Sequence, residues 1–191
     1  MEKKRLWQTF RLWTIRGSQK RVDYLKKNHV FRAIGENCSI MDRKVPLYAN
    51  LIKLGNNVHV ASKVDFITHD ITHVMINGIN FQTKEDRGGI REKIGCIELG
   101  DNVFVGAKST ILYNVRIGSN VIIGSGSLVN KDIPDNSVVA GVPARVIGTF
   151  EDFVNKRYKE DGYPEELRPV GQRISKELED FCWNEFYKEH G

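Results

Sequence analysis

Between residues 99 and 134 the apolar positions return every six residues. Written in sixes, the stretch reads LGDNVF, VGAKST, ILYNVR, IGSNVI, IGSGSL, VNKDIP. The first place is Leu99, Val105, Ile111, Ile117, Ile123 and Val129, always aliphatic. The fifth is Val103, Ser109, Val115, Val121, Ser127 and Ile133, always small or aliphatic. Glycine holds the second place at Gly100, Gly106, Gly118 and Gly124. A period of six is neither the 3.6 of a helix nor the alternation of an ordinary strand. It predicts an all-β solenoid in which each six residues supply one short strand and a corner, and three such units close a triangular coil. The first and fifth residues point inward as stacked aliphatic ladders. Asn102, Asn120 and Gly126 fall at corners, where the backbone needs angles that most residues adopt only at a cost.

The same phase returns earlier, less cleanly. Ile34, Gly35 and Ile40 read as a partial first coil, and Leu54 to Val60 with Phe66 as another; residues 42 to 53 fit poorly. Leu54 and Leu99 are not separated by a multiple of six, so the period predicts an insertion between the two runs. Residues 74–95, polar and glycine-bearing, are the candidate. Solenoids accept such loops on one face, often the functional one.

Both ends of the chain show helical spacing instead. Leu6, Phe10 and Trp13, then Val22 and Leu25 after a break at Gly17-Ser18, read as helices that cap the solenoid or lie on an anionic membrane surface. Ile174, Leu178, Phe181, Cys182 and Phe186 form a second stripe, expected to dock over the last coil. Charge sharpens the division. Residues 1–28 hold nine Lys/Arg against two Asp/Glu, a net +7, whereas the whole chain is +5, so the remainder is −2. No apolar run approaches the roughly 20 residues that span a bilayer, and no secretory leader is apparent, so a cytoplasmic protein is expected. Nothing resembles a nucleic-acid motif. Cys38, Cys96 and Cys182 lack metal spacing and read as packing residues.

The stretch "IELGDNVFVGAKSTILYNVRIGSNVIIGSGSLVNKDIPDNSVVAGVPARVIG", residues 97–148, resembles the hexapeptide-repeat O-acetyltransferases, and in particular the galactoside, maltose and polysaccharide acetyltransferases. "KDIPDNSVVAGVPARVI" matches the segment with which that group closes its last coil. The resemblance runs from about Leu54 to Ile147. It implies a left-handed parallel β-helix over residues 31–148 with the loop inserted at about 74–95, preceded by a basic helical segment over 1–30 and followed by a helical extension over 149–191. It further implies a homotrimer with acetyl-CoA between adjacent subunits, a carbohydrate acceptor and no metal. The basic helical lead resembles that of members modifying surface polysaccharides, which would put the enzyme at the inner face of the membrane.

In that family the catalytic histidine precedes the loop, and the matching order here, "ITHD", loop, "LGDNVFVG", assigns the base to His69. The chemistry agrees. Moving an acetyl group from a thioester to a hydroxyl needs a base for the hydroxyl proton, and an imidazole, which ordinarily titrates near about 6.5, suits that task. One ring nitrogen must be held while the other faces the acceptor. A backbone carbonyl, Asp65 or Asp70 could hold it. The resemblance gives the oxyanion contact to the Ala107 amide and the coenzyme contacts to Ala107, Ser125, Asn130, Lys131 and Arg145. Phe104 stands where many members carry Trp, and with Asp65 and Phe81 is expected to meet the substrate. His73 has no assigned role.

Two other readings start from the same residues. His59, His69 and His73 would supply three imidazoles to a zinc enzyme of the γ-carbonic anhydrase kind, but their spacing departs from that class. A non-enzymatic scaffold would explain the ladder and the corners, and leaves His69 and the "GVPAR" segment without a purpose.

Overall fold

The computed structural model describes residues 3–79, 89–160, 162–171 and 173–191. They form two units, one ending at Phe153 and one running from Val154 to Gly191.

The first unit is a three-faced parallel β-helix. Face one stacks β1 (Ala33–Ile34), β3 (Ile52–Leu54), β8 (Ile97–Leu99) and β11 (Val115–Ile117). Face two stacks β2 (Ser39–Ile40), β4 (Val58–Val60), β9 (Val103–Val105), β12 (Val121–Ile123) and β14 (Ser137–Ala140). Face three stacks β5 (Asp65–Ile67), β10 (Thr110–Leu112) and β13 (Leu128–Val129). The register aligns like with like. Ile40, Val60, Val105, Ile123 and Val139 form one ladder, and Phe66, Ile111 and Val129 another. All the first- and fifth-place residues of the period are buried. Each fully buried Val, Leu or Ile contributes roughly 1.5–3 kcal/mol relative to exposure. Ser109 and Ser127 fill inward places without leaving their hydroxyls unpaired, because both donate to the Gly124 carbonyl.

The corners carry the unusual backbone. Between faces one and two lie Asn37, Asn57, Asn102, Asn120 and Asn136, with φ of 55°, 54°, 56°, 55° and 58°. Each of the first four donates a side-chain N–H to the next side-chain oxygen, at 2.8, 2.9, 2.8 and 2.8 Å. Between faces two and three the left-handed places are Lys63, Lys108 and Gly126. Beside the Asn ladder a Cβ on Gly100 would stand 2.9 Å from the Gly118 carbonyl carbon, so only glycine lets the coils approach there.

Three departures from the six-residue period matter. The first coil runs 20 residues from Asn37 to Asn57 rather than 18, and a short 3-10 turn, Ala49–Leu51, takes up the irregularity. The insertion begins earlier than the period suggests. The chain leaves the prism after Thr68 and rejoins it at Ile97, so both histidines stand on the excursion rather than before it. After β14 the chain reverses, and β15 (Arg145–Thr149) pairs antiparallel with it, giving the edge of face two a partner.

The N-terminal cap is built differently from its sequence stripe. Helix α2 (Ser18–Lys27) buries Val22 and Leu25, and its Arg21 donates to the Ile40 carbonyl at 2.9 Å and the Ile15 carbonyl at 3.2 Å. Helix α1 (Lys3–Thr14) buries Gln8 and Leu12, while Leu6, Phe10 and Trp13 stay exposed. The cysteines also need correction. Cys38 is buried, but Cys96, at the corner entering β8, and Cys182 are exposed. In the second unit the stripe Ile174 to Phe186 begins in the lead-in to α5 (Lys176–His190), which follows α4 (Phe150–Lys159). Of that stripe Leu178 is buried, whereas Ile174, Cys182 and Phe186 are exposed.

Asn102→Ala puts a backbone cost and a broken ladder in one place: the Cβ of alanine is disfavoured at φ 56°, where asparagine is tolerated, and two side-chain bonds are lost. It should destabilise the protein by about 2 kcal/mol, and Asn102→Gly, which accepts the angle, by about half as much. Urea unfolding midpoints, ranked wild type, Gly, Ala, check this.

Candidate active site

His69 is the first residue outside the prism. Thr68, fully buried, donates its hydroxyl to the Leu47 carbonyl at 2.6 Å and accepts at its carbonyl from the Gly95 N–H at 2.9 Å. The two ends of the excursion therefore meet at one point. They continue as a two-stranded antiparallel ribbon, β6 (His69–Asp70) against β7 (Lys93–Ile94), with His69 opposite Ile94 and Asp70 opposite Lys93. Helix α3 (Thr72–Gly78) follows, carrying His73.

Two sets of contacts fix the ribbon. Asp70 accepts from the Thr72 N–H at 2.7 Å and the Tyr113 hydroxyl at 3.2 Å, while the Lys93 ammonium lies 5.2 Å over the Tyr113 ring. These hold the Asp70 carboxyl below its ordinary range, the Thr72 contacts most of all, then Tyr113 and the charge of Lys93. On the other side the Tyr48 ring meets the His69 ring edge-on, with centroids 5.6 Å apart and planes at 83°. Tyr48 donates its hydroxyl to Glu92, one residue before β7, at 3.0 Å, and that bond raises the phenol above its ordinary value. Tyr48 itself stands at φ 51°. The His69 Nδ1 is buried and has no hydrogen-bond partner among the described residues; the same holds for His73 Nδ1. Of the two carboxylates considered as His69 partners, Asp70 is engaged as described and Asp65 pairs with Lys44 at 3.4 Å. What lies against the imidazole is Tyr48, a contact hidden in the irregular stretch 42–53.

The remaining candidates fall at three places. Ala107 and Ser125 share the corner between faces two and three, in register through Val105 and Ile123. The Ala107 carbonyl accepts from the Gly126 N–H at 2.8 Å, and no acceptor among the described residues takes the Ala107 N–H. Asn130 and Lys131 follow β13 at the corner between faces three and one, the corner that His69 leaves from, and both are exposed. Arg145 opens β15, exposed, with its guanidinium donating to the Ala144 carbonyl at 2.9 Å. Asp65 lies on the outer surface of face three. Phe104 is exposed on face two, in register between His59 and Ile122. Phe81 lies outside the described residues. The chain thus brings His69 to the same edge as Asn130 and Lys131. It holds Ala107 and Ser125 at the other edge of face three, across the full width of that face.

His59 is held at both ring nitrogens, by Ser39 at 2.8 Å and Asn57 at 3.0 Å. Among the described residues no group of three or more His, Cys, Asp or Glu is placed to hold a metal. A groove lined by Glu98, Arg116, Asp132 and Asp135 lies on face one, away from the ribbon.

A parallel β-helix of six-residue repeats is the fold of the hexapeptide-repeat acetyltransferases. The family model described as bacterial transferase hexapeptide (six repeats) matches residues 97–131. The chain is 34% identical over 173 residues to the galactoside O-acetyltransferase of Lactococcus lactis, covering 80% of this chain and 79% of that protein. It is 48% identical over 154 residues to the galactoside O-acetyltransferase of Escherichia coli, 75% of each. A solved maltose O-acetyltransferase from Clostridium difficile superposes with a TM-score of 0.51 at 26% identity, over 77% of this chain and 86% of that one. The chain belongs to the hexapeptide-repeat acetyltransferases and is an acetyltransferase enzyme.

Because the Asp70 carboxyl is depressed in the fold, its contribution is complete above the ordinary carboxylate value of about 3.9 and is lost as pH falls below that. Hydrogen exchange at the Thr72 amide should show protection that persists to pH about 4 and fades below it; in Asp70→Asn the protection should be reduced at every pH.

Proposed function

We propose that this enzyme transfers the acetyl group of acetyl-CoA to a hydroxyl of a sugar, with His69 as general base. The observation that carries the reading is the placement of His69: braced by Tyr48 and by the paired ends of the excursion, with a buried Nδ1 that takes no partner among the described residues. The sugar class is supported by the relatives named as galactoside and maltose O-acetyltransferases. Within that class, a surface polysaccharide or its lipid-linked precursor fits the basic N-terminal segment.

The imidazole takes the proton as the acceptor oxygen attacks the thioester carbonyl. The carbonyl oxygen becomes an oxyanion and is met by the Ala107 N–H, an unpaired donor fixed in a rigid corner. Collapse breaks the C–S bond, and the departing thiolate receives the proton from the imidazolium. Ser125, Asn130, Lys131 and Arg145 hold the coenzyme, the two cations toward its phosphates. Base and oxyanion donor stand on different edges of one prism. A second copy presenting its Ala107 edge to the His69 edge of the first completes the site, which supports a homotrimer with its sites between subunits. Tyr48 is a positioning residue in this scheme.

Calorimetric titration with acetyl-CoA should give saturable binding near one per subunit; no binding at millimolar ligand by a folded oligomer would refute the reading. His69→Ala should lower kcat by about 10²–10⁴ and leave acetyl-CoA affinity unchanged.

Tyr48→Ala should lower kcat by about 10-fold to 100-fold through a misplaced imidazole. Its KM should stay close to that of wild type, and the pH–rate profile should shift. Tyr48→Phe keeps the ring and should recover most of the loss. Equal damage in both variants would assign the effect to the Glu92 bond instead.

A further inference from the structure

Helix α1 presents an apolar face that the fold meets at Trp13, whose ring lies 5.7 Å from the Arg43 guanidinium, and otherwise leaves exposed. Its inner side is fixed: Leu12 is 2% exposed, the Thr9 hydroxyl accepts from the Val45 N–H at 3.2 Å, and Arg43 donates to the Trp13 carbonyl at 2.7 Å. On the opposite side Leu6, Trp7, Phe10 and Trp13 are 49%, 60%, 56% and 65% exposed, and the Trp7 and Phe10 rings stack at 5.7 Å. At 100° per residue Leu6, Phe10 and Trp13 fall within one 60° sector, with Trp7 beside them. Lys3 lies within the span that ends at Trp7, Arg11 and Lys4 follow roughly 40° and 60° beyond Trp7 on one flank of the aromatic face, and all three are exposed.

From this we infer that the α1 face is a docking surface for an anionic lipid bilayer. Two features select that occupant. Residues 1–28 carry +7 while the rest of the chain carries −2, so the cations are gathered on the segment that bears the aromatic face. Trp beside Lys and Arg on an amphipathic helix is the pairing that settles at a headgroup boundary: rings enter the acyl edge and cations meet phosphate. A second copy seating the same face against itself would bring like charges together. None of the helices among the described residues is long and apolar enough to cross a membrane, so α1 lies on the surface rather than spanning it. The inner-side anchors make α1 a rigid part of the first unit. The inference is independent of the reaction proposed above.

The test is co-sedimentation of the full chain with phosphatidylglycerol/phosphatidylcholine vesicles and with pure phosphatidylcholine vesicles, with tryptophan emission read in parallel. Expected are binding to the anionic vesicles with a blue shift, weakening at about 0.5 M salt, and weak binding to the neutral ones. The double variant Trp7→Ser, Phe10→Ser touches neither the buried side of α1 nor the proposed site. It should lower the anionic partition by about tenfold or more and leave acetyl-CoA binding unchanged. No binding by the wild-type chain, equal binding to both vesicle types, or equal binding by the variant would overturn the inference. So would a fall in oligomer mass on mutation, measured by light scattering, which would make the face a contact between copies.

Discussion

Every coil of this solenoid has to turn the backbone through the left-handed region, and the first corner does so five times with asparagine. For most L-residues that conformation costs roughly 1–2 kcal/mol, and asparagine is among the few that tolerate it. Here its side chain also reaches the next coil, so one residue type satisfies the angle and locks the register. The spacing of the ladder shows how independent the register is of chain length. Successive asparagines are separated by 20, 45, 18 and 16 residues, yet the bonds stay at 2.8–2.9 Å. A long excursion between Asn57 and Asn102 therefore leaves the stacking undisturbed, because closing even a long loop adds little once its ends are fixed by pairs already formed.

That freedom is what places the chemistry. The excursion opens at the corner between faces three and one, where the buried Thr68 ties Leu47 on one side and Gly95 on the other. His69 is the next residue and cannot wander, since the ribbon partner Ile94, the Tyr48 ring and the Asp70–Tyr113 bond bracket it. The base proposed at His69, though carried by a loop, thus gains the rigidity of the scaffold, which is the condition for proton transfer in a fixed geometry.

The period of six was enough to read the coils from Leu99 to Val129, because there each inward place is aliphatic or small and no residue is added or lost; beyond it Ile133 pairs with Ile117, two residues short of a full coil. Where the count shifts, the pattern fails: the 20-residue first coil concealed Tyr48, whose role depends on a fold-back that periodicity does not encode. His69 could be proposed from the order of ITHD and the later LGDNVFVG coil, although it stands on the excursion and not before it, whereas its neighbours could not be read. The residues expected to orient it, Asp65 and Asp70, are engaged with Lys44 and with Thr72 and Tyr113. Helix α1 misled for a different reason. Its 3.6-residue stripe is genuine, but burial follows the anchors at Thr9 and Arg43, so a polar Gln8 is inside and Trp7 outside. A stripe says that an apolar face exists, not what covers it.

Physical economy connects the two ends of the argument. The edge-to-edge site proposed above would leave the N-terminal cap with no duty in catalysis, so an aromatic face there costs solubility without a return unless something covers it. If the acceptor hydroxyl belongs to a saccharide still attached to lipid, holding the enzyme at that surface confines both partners to a thin layer and raises their effective concentration with no new contact in the site. A freely diffusing sugar would gain nothing from the same face. If α1 docks on lipid as inferred, the same face bears on the proposed acceptor, because it would serve a lipid-borne saccharide and not a soluble one.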